Sequence, residues 1–165
     1  MNGFAAAAAI LIVASCSSGT PRLQGRASRV LVEKAARRMT LLDGDTVLRT
    51  YRIALGTHPV GPKQCEGDGR TPEGDFTIDF HKPDSAFYRA LHISYPAPDN
   101  LRKAAELGCR PGGDIMIHGV RNGFGWLGPI LRRFDTTSGC IGLSNEQMDE
   151  IWDAIPDGTP ISIVP

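Results

Sequence analysis

Two side chains in this sequence have the types and surroundings that covalent catalysis needs. Cys140 lies in Thr137-Ser138-Gly139-Cys140-Ile141-Gly142-Leu143, just ahead of a helix start signal. A thiolate is a strong nucleophile, and a nearby helix N-terminus favours it over the thiol. Gly139 beside it allows a sharp turn and a close approach of backbone to substrate. A thiol at neutral pH needs a base to take its proton, and His is the usual one. His118 ends the apolar run Ile115-Met116-Ile117 and is followed by Gly119. Strand ends and helix starts often converge on one face of a fold, so Cys140 and His118 read as a nucleophile and its base. The competing reading at this point is a Cys packed as a small hydrophobe.

Other chemistries find less support. The four His, at 58, 81, 92 and 118, form no His-x-x-x-His pair, and no Cys-x-x-Cys occurs, so no metal site is expected. The sequence has no Gly-x-Gly-x-x-Gly leading from strand to helix, no phosphate-binding Gly-x-x-x-x-Gly-Lys-Ser/Thr and no Gly-x-Ser-x-Gly elbow. Nucleotide binding therefore has no support. Lys+Arg 18 balances Asp+Glu 18 in 165 residues, so the chain carries no electrostatic footprint for nucleic acid.

The elements that would position the pair are short. Hydrophobic residues make up 41% and charged residues 22%, which excludes disorder, and 19 Gly with 12 Pro imply many turns. Strands are predicted at Val30–Lys34, Arg38–Leu42, Val47–Leu55, Phe76–Phe80, His92–Tyr95, Asp114–His118 and Ile161–Val164, with Asp43-Gly44-Asp45 as a hairpin turn. A short helix spans Asn100–Leu107, with Asp99 or Asn100 as cap and Gly108 as stop. Ser144-Asn145-Glu146-Gln147 matches a capping box, followed by Met148, Ile151, Trp152 and Ile155 at helical spacing. Segments 56–74 and 121–137 read as loops. The expected class is α+β: mainly β with two short helices.

The N-terminal stretch reads as a targeting segment. Phe4–Val13 is an unbroken apolar run, about half of the ~20 residues a membrane span needs and the right length for a secretory signal. Ala14-Ser15-Cys16 resembles the bacterial lipobox, which makes Cys16 the expected lipidation site, although Met1-Asn2-Gly3 carries no Lys or Arg. Residues 1–16 are then the signal, 17–28 a polar tether and 29–165 the single domain. The expected address is the periplasm, anchored by lipid to the membrane. Ser17 rather than Asp after the Cys favours the outer membrane.

Four separated motifs together resemble the YkuD-type L,D-transpeptidase catalytic domain family, in its YafK-like branch. Ile117-His118-Gly119, a loop, then Thr137-Ser138-Gly139-Cys140-Ile141 is similar to its signature, and Thr71-Pro72-Glu73-Gly74-Asp75-Phe76 to its Thr-Pro-x-Gly-x-Phe element. His92-Ile93-Ser94-Tyr95-Pro96 and Cys140–Trp152 extend the likeness over nearly the whole mature chain. The resemblance implies a β-sandwich-like domain in which Cys140 is the nucleophile and His118 the base. It also implies that the Gly119 carbonyl orients the imidazole and that the Gly139 and Cys140 N–H groups hold the oxyanion. Arg70, His92, Trp126, Thr137 and Ser138 are expected around the substrate. The chain departs from many members in having Ser138 before the Gly-Cys and Gly142 where they carry Arg. The substrate carboxylate then lacks an assigned partner, with Arg70, Arg121, Arg132 and Arg133 as candidates.

The implied activity is peptidoglycan L,D-transpeptidation without a cofactor. The acyl group at the L-centre of diaminopimelate in a stem tetrapeptide passes to an amine of another stem, or to a lipoprotein Lys. Alternatives are an amidase that releases wall-bound protein or trims cross-links, and a non-catalytic peptidoglycan-binding lipoprotein. A monomer is expected. With Cys16 and Cys140 assigned, Cys65 and Cys109 remain. Both flank loops, and in an oxidising compartment they are expected to form a disulfide rather than stay as two free thiols.

Overall fold

The computed structural model describes residues 23–131 and 133–165. The expected signal segment, the expected lipidation site Cys16, most of the expected tether and Arg132 lie outside the described residues. Packing against the core begins before residue 29. Ala27 is buried, and its N–H donates to the Ala154 carbonyl at 2.7 Å, so the small side chain tucks the entering chain against the domain.

Eight strands form one sheet: β1 Arg29–Glu33, β2 Arg38–Asp43, β3 Thr46–Arg52, β4 Gly74–Ser85, β5 Tyr88–Ile93, β6 Met116–His118, β7 Ile141–Gly142 and β8 Thr159–Val164. Their spatial order is β3-β2-β1-β8-β4-β5-β6-β7. Three short helices, α1 Pro98–Glu106, α2 Gly128–Leu131 and α3 Asn145–Trp152, complete it. The sheet curls. The chain beyond edge strand β3 reaches edge strand β7, where Ala54 and Gly142 exchange backbone hydrogen bonds of 3.0 and 2.8 Å. Both halves of the sheet feed one apolar cluster, with Val30, Met39 and Ile163 from one half and Leu91, Ile117 and Ile141 from the other. Met148 and Ile151 of α3 join it, as their helical spacing requires.

Several boundaries differ from the sequence reading. β4 runs on to Ser85, and β5 occupies Tyr88–Ile93 rather than His92–Tyr95. The pairing partner, not local alternation, fixes that strand: β5 is zipped between β4 and β6. Helix α1 starts at Pro98 with Ala97 as N-cap. Asn100 sits one turn in, and its side chain accepts from the Ala97 N–H at 3.0 Å. The stretch read as loop 121–137 holds a 3-10 turn, Gly125–Leu127, and α2. The capping box at Ser144 is present as read: the Gln147 N–H donates to Ser144 Oγ at 3.3 Å, and the Ser144 N–H to Gln147 Oε1 at 3.1 Å.

Candidate active site

The parallel pairing of β6 with β7 sets the site. Ile117 lies beside Ile141 and His118 beside Gly142, and both isoleucines are fully buried in the core. Side chains alternate across a strand. Met116 and His118 therefore face away from that core, and so does Cys140, two residues before Gly142. Cys140, His118, Gly119, Thr137 and Ser138 all line one cavity of about 480 Å³.

The turn that presents the thiol is fixed by its own Thr. Thr137 Oγ1 donates to the Cys140 carbonyl at 2.7 Å and accepts from the Gly139 N–H at 3.1 Å. Thr137 N–H in turn donates to the Leu55 carbonyl at 3.1 Å. Asp135 anchors the approach: its carboxylate receives Arg37 Nη2 at 2.7 Å and the Leu55 N–H at 3.0 Å. Gly139 has φ +132°, and a Cβ there would stand 2.6 Å from the Arg70 carbonyl oxygen. The Thr-Pro loop thus supports the nucleophile turn by direct backbone contact.

That loop is itself strongly tied. Cys65 and Cys109 form a disulfide with Cα atoms 5.8 Å apart. Lys34, 2% exposed, donates to the Thr71 carbonyl at 2.9 Å and to Glu73 Oε1 at 2.8 Å. Asp68 accepts from the backbone of Gln64, Cys65 and Arg70 and pairs with Lys63 at 2.9 Å.

His118 Nδ1 lies 2.7 Å from the Gly119 carbonyl oxygen. A carbonyl only accepts, so Nδ1 carries the proton and Nε2 keeps its lone pair. Gly119 is confined: a Cβ would lie 2.7 Å from Asn145 Oδ1 and 3.0 Å from Tyr88 Cβ. The Phe87 ring packs 4.6 Å from the imidazole. Burial holds His118 below the usual imidazole range, and the Gly119 carbonyl offsets part of this. Burial likewise pushes the Cys140 thiol up, against a hydrogen bond from the Met116 N–H. At neutral pH both groups rest uncharged, so the thiol must be deprotonated during reaction rather than held as thiolate. The expected helix-dipole help is small because α3 begins at Asn145, beyond the reach of its first turn. In this resting arrangement Cys140 Sγ points to the Asp114 carbonyl at 3.6 Å.

The other expected residues divide. Of the two expected oxyanion donors, the Gly139 N–H is engaged by Thr137 Oγ1, while the Cys140 N–H has no acceptor among the described residues. His92 shares the site face but not the cavity. Its Nδ1 lies 2.6 Å from Asp79, and its ring stacks on Phe80 at 4.4 Å. Trp126 is 75% exposed on the 3-10 turn and does not line the cavity. Arg70 contributes its carbonyl under Gly139, while its guanidinium lies by Gly61 and not at the cavity. Among the candidate arginines, Arg121 lines the cavity and Arg133 does not. Lys82 and Phe87 also line it and had no motif to mark them, and Asp114 does so from the start of the predicted strand Asp114–His118. Only the strand register could have found Lys82, and that required the correct place for β5.

With this geometry in view, residues 27–163 match the family model described as the L,D-transpeptidase catalytic domain, YkuD. YafK of Escherichia coli (strain K12), named as a candidate L,D-transpeptidase, is 31% identical over 109 residues, covering 64% of this chain and 36% of that protein. The chain thus spans little more than a third of that curated relative. Among solved structures, the helical cell shape determining protein Pgp2 from Campylobacter jejuni superposes with TM-score 0.63 at 22% identity, covering 81% of this chain and 46% of that one. The L,D-transpeptidase from Xylanimonas cellulosilytica gives 0.55 at 17% identity, covering 88% and 65%.

Proposed function

The chain belongs to the YkuD L,D-transpeptidase catalytic domain family, and from that premise we propose that it transfers an acyl group of a peptidoglycan stem tetrapeptide through Cys140. The observation that supports this most is the His118 arrangement: a proton fixed on Nδ1 by the Gly119 carbonyl at 2.7 Å and a free Nε2 in the cavity that Cys140 lines. Cys140 Sγ attacks the carbonyl at the L-centre of diaminopimelate as its proton passes to His118 Nε2. The Cys140 N–H, without a protein acceptor, is placed to donate to the developing oxyanion. The C–N bond to D-Ala breaks, the amine leaves with the proton from His118, and a thioester remains on Cys140. An amine from a second stem or a lipoprotein Lys then attacks the thioester, giving its proton to His118 and restoring the thiol. The depressed imidazole suits this cycle, since a neutral base is present throughout the neutral range.

Cys16 is proposed as the lipid anchor, with the domain facing the periplasm from the outer membrane. Partition of the wild-type protein with membranes and its release in C16A would support this, and a soluble wild type cleaved elsewhere would refute it.

The activity is tested with purified domain and disaccharide-tetrapeptide, read by intact-protein and product masses. A thioacyl adduct on Cys140 and a cross-linked dimer are expected. Tripeptide alone would assign hydrolysis instead, as in the amidase alternative. No adduct and no product would overturn the catalytic reading in favour of a binding lipoprotein. C140A should bring the same loss without unfolding.

A further inference from the structure

This inference rests on the acyl-transfer reading above and concerns what holds the donor peptide. A single row of residues crosses the site face of the sheet. Lys82 of β4 stands opposite Ala90 of β5, Ala90 opposite His118 of β6, and His118 beside Gly142 of β7; Ala54 closes the row. Residues directly opposite one another share a face. Lys82 is therefore on the catalytic face, two strand spacings or roughly 10 Å from the His118 backbone. Only the methyl group of Ala90 stands between them in the row. Ala90, Gly142 and Ala54 keep the floor low, and Lys82 lines the cavity with His118 and Cys140.

Arg121 brings a second cation to the same wall. Asn122 fastens the chain after His118 to the turn between β4 and β5. Its N–H donates to the Ala86 carbonyl at 2.9 Å, its Nδ2 to the Ser85 carbonyl at 3.1 Å, and its Oδ1 accepts from the Tyr88 N–H at 2.9 Å. Arg121 thus stands beside the turn that follows Lys82, and it lines the same cavity. Neither cation has an ion-pair or side-chain hydrogen-bond partner among the described residues. The acidic lining residue, Asp114, lies on the other flank, where its carbonyl meets the Cys140 sulfur. The cavity is polarised, with two unpaired cations beyond His118 and one carboxylate beyond Cys140.

We infer that Lys82 and Arg121 form a carboxylate-binding subsite that grips a free carboxylate of the donor peptide while its scissile carbonyl lies over Cys140. Guanidinium and ammonium groups are the natural partners of a carboxylate. They fill the role that the sequence left open when Gly142 stood at the expected cationic position. A Cβ at 142 would already lie 3.3 Å from Ala54 Cβ, so the floor has little room for a long side chain there.

The test measures binding in the C140A background, where turnover cannot interfere. Titration calorimetry uses the stem tetrapeptide and a series of its amides, each lacking one carboxylate. One amide should bind about tenfold more weakly than the parent, and its identity names the carboxylate held. K82A/R121A, both exposed positions, should bind the parent about tenfold more weakly and lose discrimination against that amide, while K82R/R121K should restore much of both. Equal binding of all the amides, or full discrimination kept in K82A/R121A, would overturn the subsite. Failure of the acyl-transfer reading looks different: discrimination would persist in binding while wild-type protein formed no adduct on Cys140.

Discussion

Replacing Gly139 by Ala tests whether the Thr-Pro loop really fixes the nucleophile turn. The substitution adds one methyl group, yet two independent costs arise. The backbone at 139 has φ +132°, where a side chain is strained; such strain costs on the order of 1–3 kcal/mol. The new Cβ would also stand 2.6 Å from the Arg70 carbonyl oxygen and 3.4 Å from Ile115 Cδ1. The carbonyl cannot step aside freely, because the Arg70 N–H is held by Asp68 at 3.0 Å. Overpacking of this kind adds roughly 1–3 kcal/mol, so G139A should lose about 2–6 kcal/mol in urea unfolding. Gly158 separates the two costs. Its φ is +90°, but a Cβ there meets nothing within 4 Å, so G158A should show the backbone cost alone, about 1–3 kcal/mol. G139A should also displace Cys140 and depress turnover by about a hundredfold, as expected for a shift of ~1 Å at a reacting atom. Equal losses in G139A and G158A, or normal turnover in G139A, would show that Arg70 does not brace the turn.

Four further outcomes follow from the tied loop and the half-buried pair. Alkylation of Cys140 by iodoacetamide should persist below the ordinary imidazole value of ~6.5 before it falls, and in H118A it should drop at pH 7 to the level of a thiol less than about 3% ionised. Stability carries matching signs. The folded state resists protonating His118, so its contribution is full above about pH 6.5 and is lost as pH falls, whereas the Cys140 contribution is lost as pH rises beyond about 8.5. Reduction of Cys65–Cys109, whose sequence separation is 44, should lower unfolding free energy by up to about 4 kcal/mol on the chain-entropy model; an unchanged urea midpoint under reductant would contradict this. K34A leaves Glu73 without its buried cation and should cost about 3–5 kcal/mol, while K34M/E73L should recover part of that in the same unfolding assay.

The placement of Cys140 and His118 on one cavity was more legible than the cavity's walls. Cys140, His118 and the Ser144 capping box are local signals, written in adjacent residues. So is the mainly β class, through its many short alternating segments and turns. Lys82 was not legible because its relation to His118 passes through Ala90. That register depends on where β5 pairs, and the alternation around His92 pointed to the wrong span. His92 was drawn toward the site by a family-like motif and Trp126 by its place in the loop between His118 and Cys140. The structure gives one a carboxylate and a phenyl ring, and leaves the other in solvent. Arg70 shows a third kind of miss: the position matters to the site, but through its carbonyl rather than its charge.

Strand β8 comes after every other strand in the sequence yet lies in the middle of the sheet, parallel to β1 on one side and antiparallel to β4 on the other. Until it arrives, the half carrying β1 to β3 and the half carrying Cys140 and His118 have no shared ladder. The joint between Ala54 and Gly142 must then form without that central support. A chain that lacks residues 159–164 should therefore keep the pairing of β6 with β7 but lose the ladder that joins the two halves of the sheet.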